Sequence, residues 1–529
     1  MASKIRFSDK LMAVFHAVFF AAAGMVTLSA ATLGLFHAPF FGEDGTEPDI
    51  TVFIGILRLL LLLLFIGALF LFFLLCLRAL SSDRLKALDD RRLNTNILLS
   101  GVGLILVLQL LSAYFLRMEP ITDIVWLETY VKKIIPDNSF ACLDSDYNLH
   151  YIAWYPNNIP CLLLYTLIYK LTCQFTGTLS RAPMLVFNTL CINAAVLMTV
   201  LTSRRLFGER KAVFTLLLCG LFAPYYTYAP FYYTDTFSIP MMAGTVYFFV
   251  AAIQCGSRVK KALLLLLSGA VCCLGFEFKA TVAVLLPALL LYLLLDHGIK
   301  RAAKIGGIVL LGFAVVFGSF TFALKKAEFV SEESADRYEF PIVHWAMMGL
   351  GHTGQYSAED FAYTNSFETK AEKSEADLKE LRDRLGKMGV GGLAVHLWEK
   401  ASWIYTDGTY NVSHYIENSR LHTPLHSLII KGGRLRYLFF AYSFGMQMVL
   451  LSMMTYSGFA AFRKRKYGMT AWLRIGIFGM FLFFAVWEAN SRYLFNFTPL
   501  YILLSTEGLA ELSEKLRKKR ENRGVKHAV

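Results

Sequence analysis

The sequence predicts an all-α polytopic membrane protein with about 12–13 membrane helices, joined by loops and amphipathic helices on the outer face. Of its 529 residues, 56% are hydrophobic and only 17% are charged, whereas proteins in general carry about 25% charged residues. The apolar residues form continuous runs. As a helix, the run 96–116 would rise about 31 Å, roughly one hydrocarbon thickness.

The net charge of +13 comes from basic clusters that lie between or just beyond the apolar runs. Such clusters mark the cytoplasmic loops of membrane proteins, so we expect no nucleic-acid partner. We predict a multi-pass protein of the plasma membrane with both termini in the cytoplasm. The clusters lie at residues 78–92, 204–211, 258–261, 300–304, 463–466 and 515–520.

Placing the basic clusters inside determines which segments face outward. The apolar stretch 159–173 is short for a span, which needs about 20 residues, and a crossing there would put the next basic cluster outside. We therefore predict that this stretch forms a short or surface-lying helix in the outer layer. The predicted outer segments include residues 117–129, 232–240, 275–281, 325–435 and 488–493.

Hydropathy also divides the chain into segments. In the hydrophilic part, Leu378, Leu381 and Leu385 predict one face of an amphipathic helix that ends at Gly389. The predicted segments are 1–95 with two membrane helices and a basic loop, 96–324 as a transmembrane core whose first outer loop is 117–158, 325–435 as an outer-face loop with helices, 436–511 with further membrane helices, and 512–529 as a basic cytoplasmic tail.

Two acids at predicted outer helix ends are candidates for proton transfer. Asp123 follows Glu119 and Pro120 at the end of an apolar run, and Asp235 lies in another outer turn among tyrosines and threonines. A carboxylate that reaches a substrate hydroxyl acts as a general base. The structural alternatives are a solvated loop acid for Asp123 and a helix N-cap for Asp235.

Two cations lie at the same predicted level. Lys279 and Glu277 interrupt two apolar runs, and ionisable residues at membrane depth indicate function by default. Arg492 lies four residues after Glu488, so an ordinary ion pair between them is its structural alternative. Either cation is placed to contact a lipid-linked phosphate.

Further polar residues complete the candidate set. Tyr155, Asn157 and Asn158 precede an apolar helix and offer groups that match sugar hydroxyls, with helix capping as the alternative. His352 lies in a glycine-containing segment that suits either a surface loop or a flap. The last three candidates, Asp144, Asp146 and His150, are weak candidates for a divalent metal ion.

The order of these motifs resembles bacterial glycosyltransferases of the GT-C superfamily, which include protein O-mannosyltransferases and lipid A aminoarabinose transferase. The motifs are EPITDIVW, YPNNIPCLLLYTLIYKL, RRLFGERKAVFTLLL, YYTDTFSIP and EANSRYLFNFTPLYILL, between residues 96 and 511. The resemblance implies sugar transfer from a polyprenyl-phosphate donor to a lipid, cell-envelope glycan or protein acceptor on the outer face.

By this resemblance, Asp123 is the catalytic base and Asp235 a second acid, while Lys279 and Arg492 bind the phosphate. The Lys-Pro-Pro of the aminoarabinose relatives is replaced by Pro156, Asn157 and Asn158 here. A single direct displacement would invert the anomeric centre. The alternatives are a membrane glycan ligase or polymerase, and a multi-span transporter, which would bind its solute near the bilayer midplane.

Overall fold

The computed structural model describes residues 7–41, 51–140, 143, 150–430, 433, 435–465 and 467–526, and for residues 7, 40, 41 and 520–526 it describes the backbone only. Helices and turns, without strands, make up these described ranges, which confirms the predicted all-α class. The predicted metal ligands Asp144 and Asp146 lie outside the described residues.

Helices of 12 residues or more are labelled in chain order. They are α1 (Phe7–Thr32), α2 (Val52–Leu80), α3 (Arg91–Phe115), α4 (Asp123–Asp137), α5 (Ile159–Thr176), α6 (Ala182–Phe207), α7 (Glu209–Gly220), α8 (Thr234–Ile253), α9 (Arg258–Phe278), α10 (Leu285–His297), α11 (Ile299–Ala327), α12 (Lys370–Thr406), α13 (Arg436–Lys464), α14 (Thr470–Val486) and α15 (Thr498–Lys526).

Shorter helical segments connect these helices. The α-helical ones are Ala38–Phe41, Tyr151–Trp154, Pro224–Thr227, Glu332–Tyr338, Ile342–Gly349, Ala358–Asn365 and Val412–Glu417. The remainder are the π-helical turn Leu33–His37 and the 3₁₀ segments Asp83–Asp89, Pro156–Asn158, Ala280–Val284, Pro424–Leu428 and Ser491–Phe497.

Within the described ranges, 10 helices are long and apolar enough to cross a membrane, and α14 is a shorter apolar helix. One of the 10 begins at Pro156 and includes α5, the stretch predicted to lie on the surface. Asn158, just before α5, accepts a hydrogen bond from the Tyr233 hydroxyl, and the Tyr165 hydroxyl in the middle of α5 donates to the Tyr232 carbonyl. These contacts pack α5 against the start of α8, and its surface-lying orientation stays a prediction.

The basic loops gather at the opposite end of the bundle. Arg210 forms an ion pair with Asp89 at 2.5 Å, beside the start of α3, and Arg204 pairs with Glu209 at 2.6 Å. At the far end of α8, the Gln254 side chain donates to the Arg205 carbonyl at 2.9 Å. The helices therefore separate a basic end from the end at which α8 begins.

Small residues let the helices next to α8 approach closely. A Cβ atom added to Gly269 of α9 would overlap the Val309 carbonyl of α11, and one added to Gly312 would overlap the Leu266 carbonyl. Reciprocal glycines of this kind bring two membrane helices into backbone contact. This packing holds the end of α9, and with it Lys279, in a defined position.

Helix α12 consists of two helical stretches. Its backbone is not helical at Gly389, where φ is 59° and ψ is −173°, so the first stretch ends there as predicted. Leu378 and Leu385 on the predicted apolar face are exposed, whereas Lys373 and Asp377 are fully buried. Neighbouring segments supply polar partners for those two charges.

The partners of Asp377 form a buried polar network. Asp377 accepts a hydrogen bond of 2.6 Å from the Thr364 hydroxyl, which lies 2.8 Å from His344 Nδ1. Burial raises the pKa of Asp377 to about 6. Burial also lowers the pKa of His344 to about 4. The network is therefore neutral at His344 and titrates at Asp377 in mildly acidic solution.

We expect Asp377→Asn to alter how thermal stability depends on pH. Because the folded pKa lies above the ordinary value of 3.8, the stability that Asp377 contributes is present below about pH 4 and is lost as pH rises through about 6. The melting temperature of Asp377→Asn should thus rise relative to wild type between pH 4.5 and 7.5. The melting temperatures would be measured in detergent. If the variant and wild type differed by the same amount at pH 4.5 and at pH 7.5, this interpretation would be contradicted.

Candidate active site

Four charged side chains from distant parts of the chain meet where α8 begins. Asp123 is the first residue of α4, and Asp235 is the second residue of α8. Lys279 lies in extended backbone between α9 and the next 3₁₀ segment, and Arg492 lies in the 3₁₀ segment after α14. The main candidates that the sequence predicted are therefore brought together.

Asp235 is the buried centre of this cluster. Its carboxylate is fully buried and forms an ion pair with the Lys279 ammonium group, and its other oxygen lies 3.3 Å from Arg492 Nε. It is not the N-cap of α8, because that position belongs to Tyr233. Asp235 neutralises and orients two cations, and a substrate cannot reach it from solvent.

Arg492 links the two acids. One Nη lies 3.8 Å from an Asp123 oxygen, and the Arg492 side chain is 10% exposed. Its guanidinium group lies 5.2–5.9 Å from the ring centres of Phe231, Tyr233, Tyr415 and Tyr493.

The Nε of Arg492 is buried, and its 3.3 Å contact with Asp235 is an ion pair that does not meet hydrogen-bond geometry, so this N–H has no hydrogen-bond acceptor in the described part of the chain. A buried guanidinium group carries five N–H donors, so donors remain for an anion.

Asp123 differs from Asp235 in its access to solvent. Its side chain is 30% exposed. The preceding residue, Thr122, has a φ of 51°, which is strained for a β-branched side chain. Such strain is concentrated at functional sites. Asp123 is therefore the acid in the cluster that a substrate hydroxyl can approach.

A buried polar arm supports Asp123 from one side. The Asn158 amide donates to the Tyr151 hydroxyl at 2.8 Å and accepts from the Tyr233 hydroxyl at 2.9 Å. Tyr151 is also within hydrogen-bonding reach of Asp123, and burial raises its pKa well above 10.0. The Tyr151 phenol is therefore a neutral hydrogen-bond donor beside that carboxylate.

Glu488 closes the other side of the cluster. It accepts a hydrogen bond of 2.8 Å from Tyr493, and the ion pair with Arg492 that was the structural alternative is not among the contacts of the described residues. Residues 487–490 are not helical, so a spacing of four does not bring two side chains together. Burial raises the pKa of Glu488, although the Tyr493 hydrogen bond and the charges of Arg492 and Lys279 oppose the shift.

The remaining predicted site residues lie at different distances from the cluster. Tyr155 is near enough to Asp123 for that charge to raise its pKa, after the larger effect of burial. Glu119 is half-buried, and its backbone amide donates to the Ser419 hydroxyl at 2.9 Å. Asn157 is exposed, and Glu277 contacts Cys273 one turn back in α9.

Two predicted residues belong to the surrounding loops. His352 is exposed 3.6 Å from Glu359, so the structure does not place it in the cluster. His150 stacks on the Tyr338 ring at 3.8 Å. The described ranges contain no group of three or more His, Cys, Asp or Glu side chains that could hold a metal ion. The metal site at Asp144, Asp146 and His150 stays a prediction.

The tyrosines of the cluster are the functional candidates that the sequence reasoning missed. Tyr151, Tyr233 and Tyr493 each contact a charged member of the cluster. Their signal was available in the sequence, because tyrosines crowd the segment 225–233 and one directly follows Arg492. Tyrosine hydroxyls fix the charged groups, and the rings exclude water from them.

We expect Asp235→Asn to destabilise the protein strongly. Removing one partner of a buried ion pair leaves an uncompensated charge and costs about 3–5 kcal/mol. Asp235→Asn combined with Lys279→Met should restore part of the loss, because it removes both charges of that pair. Urea or SDS unfolding in micelles would measure the difference. A single variant as stable as wild type would contradict the buried pair.

The sequence profile of one family matches residues 4–511 and is described as a conserved hypothetical integral membrane protein. The chain belongs to this family. Among curated proteins, none matches the sequence. Membership of this family agrees with the multi-span architecture of the structure. The family description does not specify an activity.

Two solved membrane proteins are similar in structure to this family member. The oligosaccharyltransferase of Archaeoglobus fulgidus, solved with a tethered acceptor peptide, matches with a TM-score of 0.43 and 13% identity, over 82% of this chain and 51% of the other. ArnT from Cupriavidus metallidurans, solved with undecaprenyl phosphate, matches with a TM-score of 0.35 and 14% identity, over 78% of each chain. This chain spans about half the length of the archaeal enzyme.

Proposed function

We propose that this protein is an integral membrane glycosyltransferase that transfers a sugar from a polyprenyl-phosphate donor to a lipid, cell-envelope glycan or protein acceptor. The observation that carries the proposal is Arg492, a buried cation with hydrogen-bond donors to spare, beside both Lys279 and the partly exposed Asp123. An anion site and an accessible base thus lie within one cluster.

Arg492 and Lys279 are proposed to bind the phosphate of the donor. Lys279 donates to Asp235 and lies 4.3 Å from the Tyr493 ring centre, and its ammonium group has two further hydrogens. Both cations are oriented before a ligand arrives, because Asp235 lies between them. Pre-oriented charges in a site shielded from water stabilise developing charge strongly.

The proposed reaction is a single displacement at the anomeric carbon. The acceptor oxygen attacks that carbon, its proton passes to the Asp123 carboxylate, and the bond between the anomeric carbon and the phosphate oxygen breaks. The bonding electron pair leaves with the polyprenyl phosphate, whose added negative charge Arg492 and Lys279 stabilise. One displacement inverts the configuration of the sugar.

Asp123 suits the role of base better than Asp235 does. Asp123 is 30% exposed, whereas Asp235 has no exposed surface and contacts two cations. Asp235 is therefore proposed to position the cations, while Tyr151 and Asn158 orient the Asp123 side of the site.

The outer face is the proposed side of the reaction. The cluster lies where α8 begins, whereas the basic loops around Arg205 and Arg210 contact the other ends of the helices. Basic loops face the cytoplasm in membrane proteins. This polarity supports an outer active site and cytoplasmic termini.

The test is transfer in liposomes that contain the purified protein. The donors are polyprenyl phosphates carrying labelled hexoses, pentoses or aminosugars, with membrane lipids, envelope glycans and peptides as acceptors. We expect label transfer with an inverted anomeric centre, identified by NMR. Transfer only from diphosphate-linked oligosaccharides would indicate a ligase or polymerase, and solute movement without transfer would indicate a transporter. A chelator in the same assay tests the predicted divalent ion.

A further inference from the structure

A polar cavity lies on the other side of the segment that carries Arg492. Its volume is about 250 Å³, and its walls include Asn490 and Ser491, the two residues before Arg492. Ligand sites for drug-sized molecules occupy roughly 300–1,000 Å³, so this cavity suits one ring and not a long chain. The proposed reaction does not use it.

The charged groups around the cavity already have partners. Lys400 donates to the carbonyl oxygens of Gly349 and Trp487, both at 2.6 Å. Asp407 accepts from the Ser491 hydroxyl at 2.9 Å and from Thr409. The lining also includes Arg436 and Glu417, which pair at 3.2 Å. The charges of these two cations and two acids sum to zero, which favours a neutral ligand over an ion.

The uncharged groups of the lining are available to a ligand. Within the described ranges, the indole N–H of Trp403 and the side chains of Thr353 and Gln355 have no hydrogen-bond partner, and no aromatic ring stacks on Trp403. Asn411 and Asn490 add amides, of which Asn411 donates to the Asn490 oxygen at 3.4 Å. That oxygen also accepts from the Arg492 backbone amide at 3.0 Å, so Asn490 offers a ligand its NH₂ group. A half-buried indole ring with amides and hydroxyls offers an apolar face and polar edges together.

From this lining we propose that the cavity binds a neutral sugar ring, with Trp403 against one face of the ring and Gln355, Asn411 and Asn490 at its hydroxyls. The inference deepens the proposed function and rests on it for its role in transfer. The cavity and the phosphate site share the segment 490–492 as a wall. The ring belongs either to the acceptor or to the donor.

The test is binding of methyl glycosides of glucose, galactose, mannose and N-acetylglucosamine to the full chain in nanodiscs, measured by saturation-transfer NMR. We expect saturable binding of at least one glycoside, weakened about tenfold by Trp403→Ala, and retained in Trp403→Phe. Trp398→Ala, on the same helix, is the control. Absence of binding, or equal binding to Trp403→Ala and wild type, would overturn the proposal.

This measurement needs neither donor lipid nor turnover, so its result is separate from that of the transfer assay. Glycoside binding without any sugar transfer would support the sugar site in the cavity and contradict the proposed reaction. Where transfer occurs, Trp403→Ala should raise KM for one substrate more than it lowers kcat. A raised acceptor KM assigns the ring to the acceptor, and a raised donor KM assigns it to the donor.

Discussion

Replacing Asp123 by Asn is expected to lower kcat for sugar transfer by about 10²–10⁴-fold, the usual contribution of a positioned general base. Asn retains the size and polarity of the side chain but cannot accept the proton of the acceptor hydroxyl. Arg492 lies 3.8 Å from the Asp123 carboxylate and keeps its closer contact to Asp235, so the phosphate site should survive. Initial rates at saturating donor would measure the effect.

The matched control for this variant is Asp137→Asn at the other end of α4. Asp137 is exposed and lies far along the helix from the cluster. It should keep wild-type turnover. If Asp123→Asn remained folded and fully active, Asp123 would not be the base, and the role would pass to another group at the site.

Replacing Arg492 is expected to weaken binding of the lipid phosphate. Arg492→Lys keeps one positive charge but loses the planar group that lies among four aromatic rings. We expect a Kd for undecaprenyl phosphate at least about tenfold higher, since hydrogen bonds to charged groups contribute about 1.5–3 kcal/mol. Native mass spectrometry or fluorescence competition would measure it.

Arg382→Ala provides the comparison for Arg492, because Arg382 is an exposed arginine on α12. Its affinity for undecaprenyl phosphate should equal that of wild type. Because changing Arg492 also disturbs the partner of the buried Asp235, melting temperatures must accompany the binding data. An unchanged Kd in a folded Arg492→Lys variant would show that Arg492 does not bind the phosphate.

The sequence allowed the membrane architecture to be predicted, and it singled out four charged residues that the structure places together, for a physical reason. Apolar runs in a membrane protein leave few places for charge, so Asp123, Asp235, Lys279 and Arg492 stood out at the ends of runs. In the structure their contacts to one another define the site.

Pairings and burial could not be predicted in the same way. Arg492 contacts Asp235 rather than Glu488 because the chain between residues 487 and 490 is not helical. In α12, Lys373 and Asp377 are buried whereas Leu378 is exposed. Both outcomes depend on partners from distant segments, which one helix pattern does not contain.

The most direct test of the central claim is a cryo-EM structure of the protein in nanodiscs with bound undecaprenyl phosphate. We expect density for the phosphate within hydrogen-bonding distance of Arg492 and Lys279, with Asp123 facing the open side of the phosphate. A phosphate bound elsewhere, with the four charged residues arranged as they are without ligand, would contradict the proposed active site.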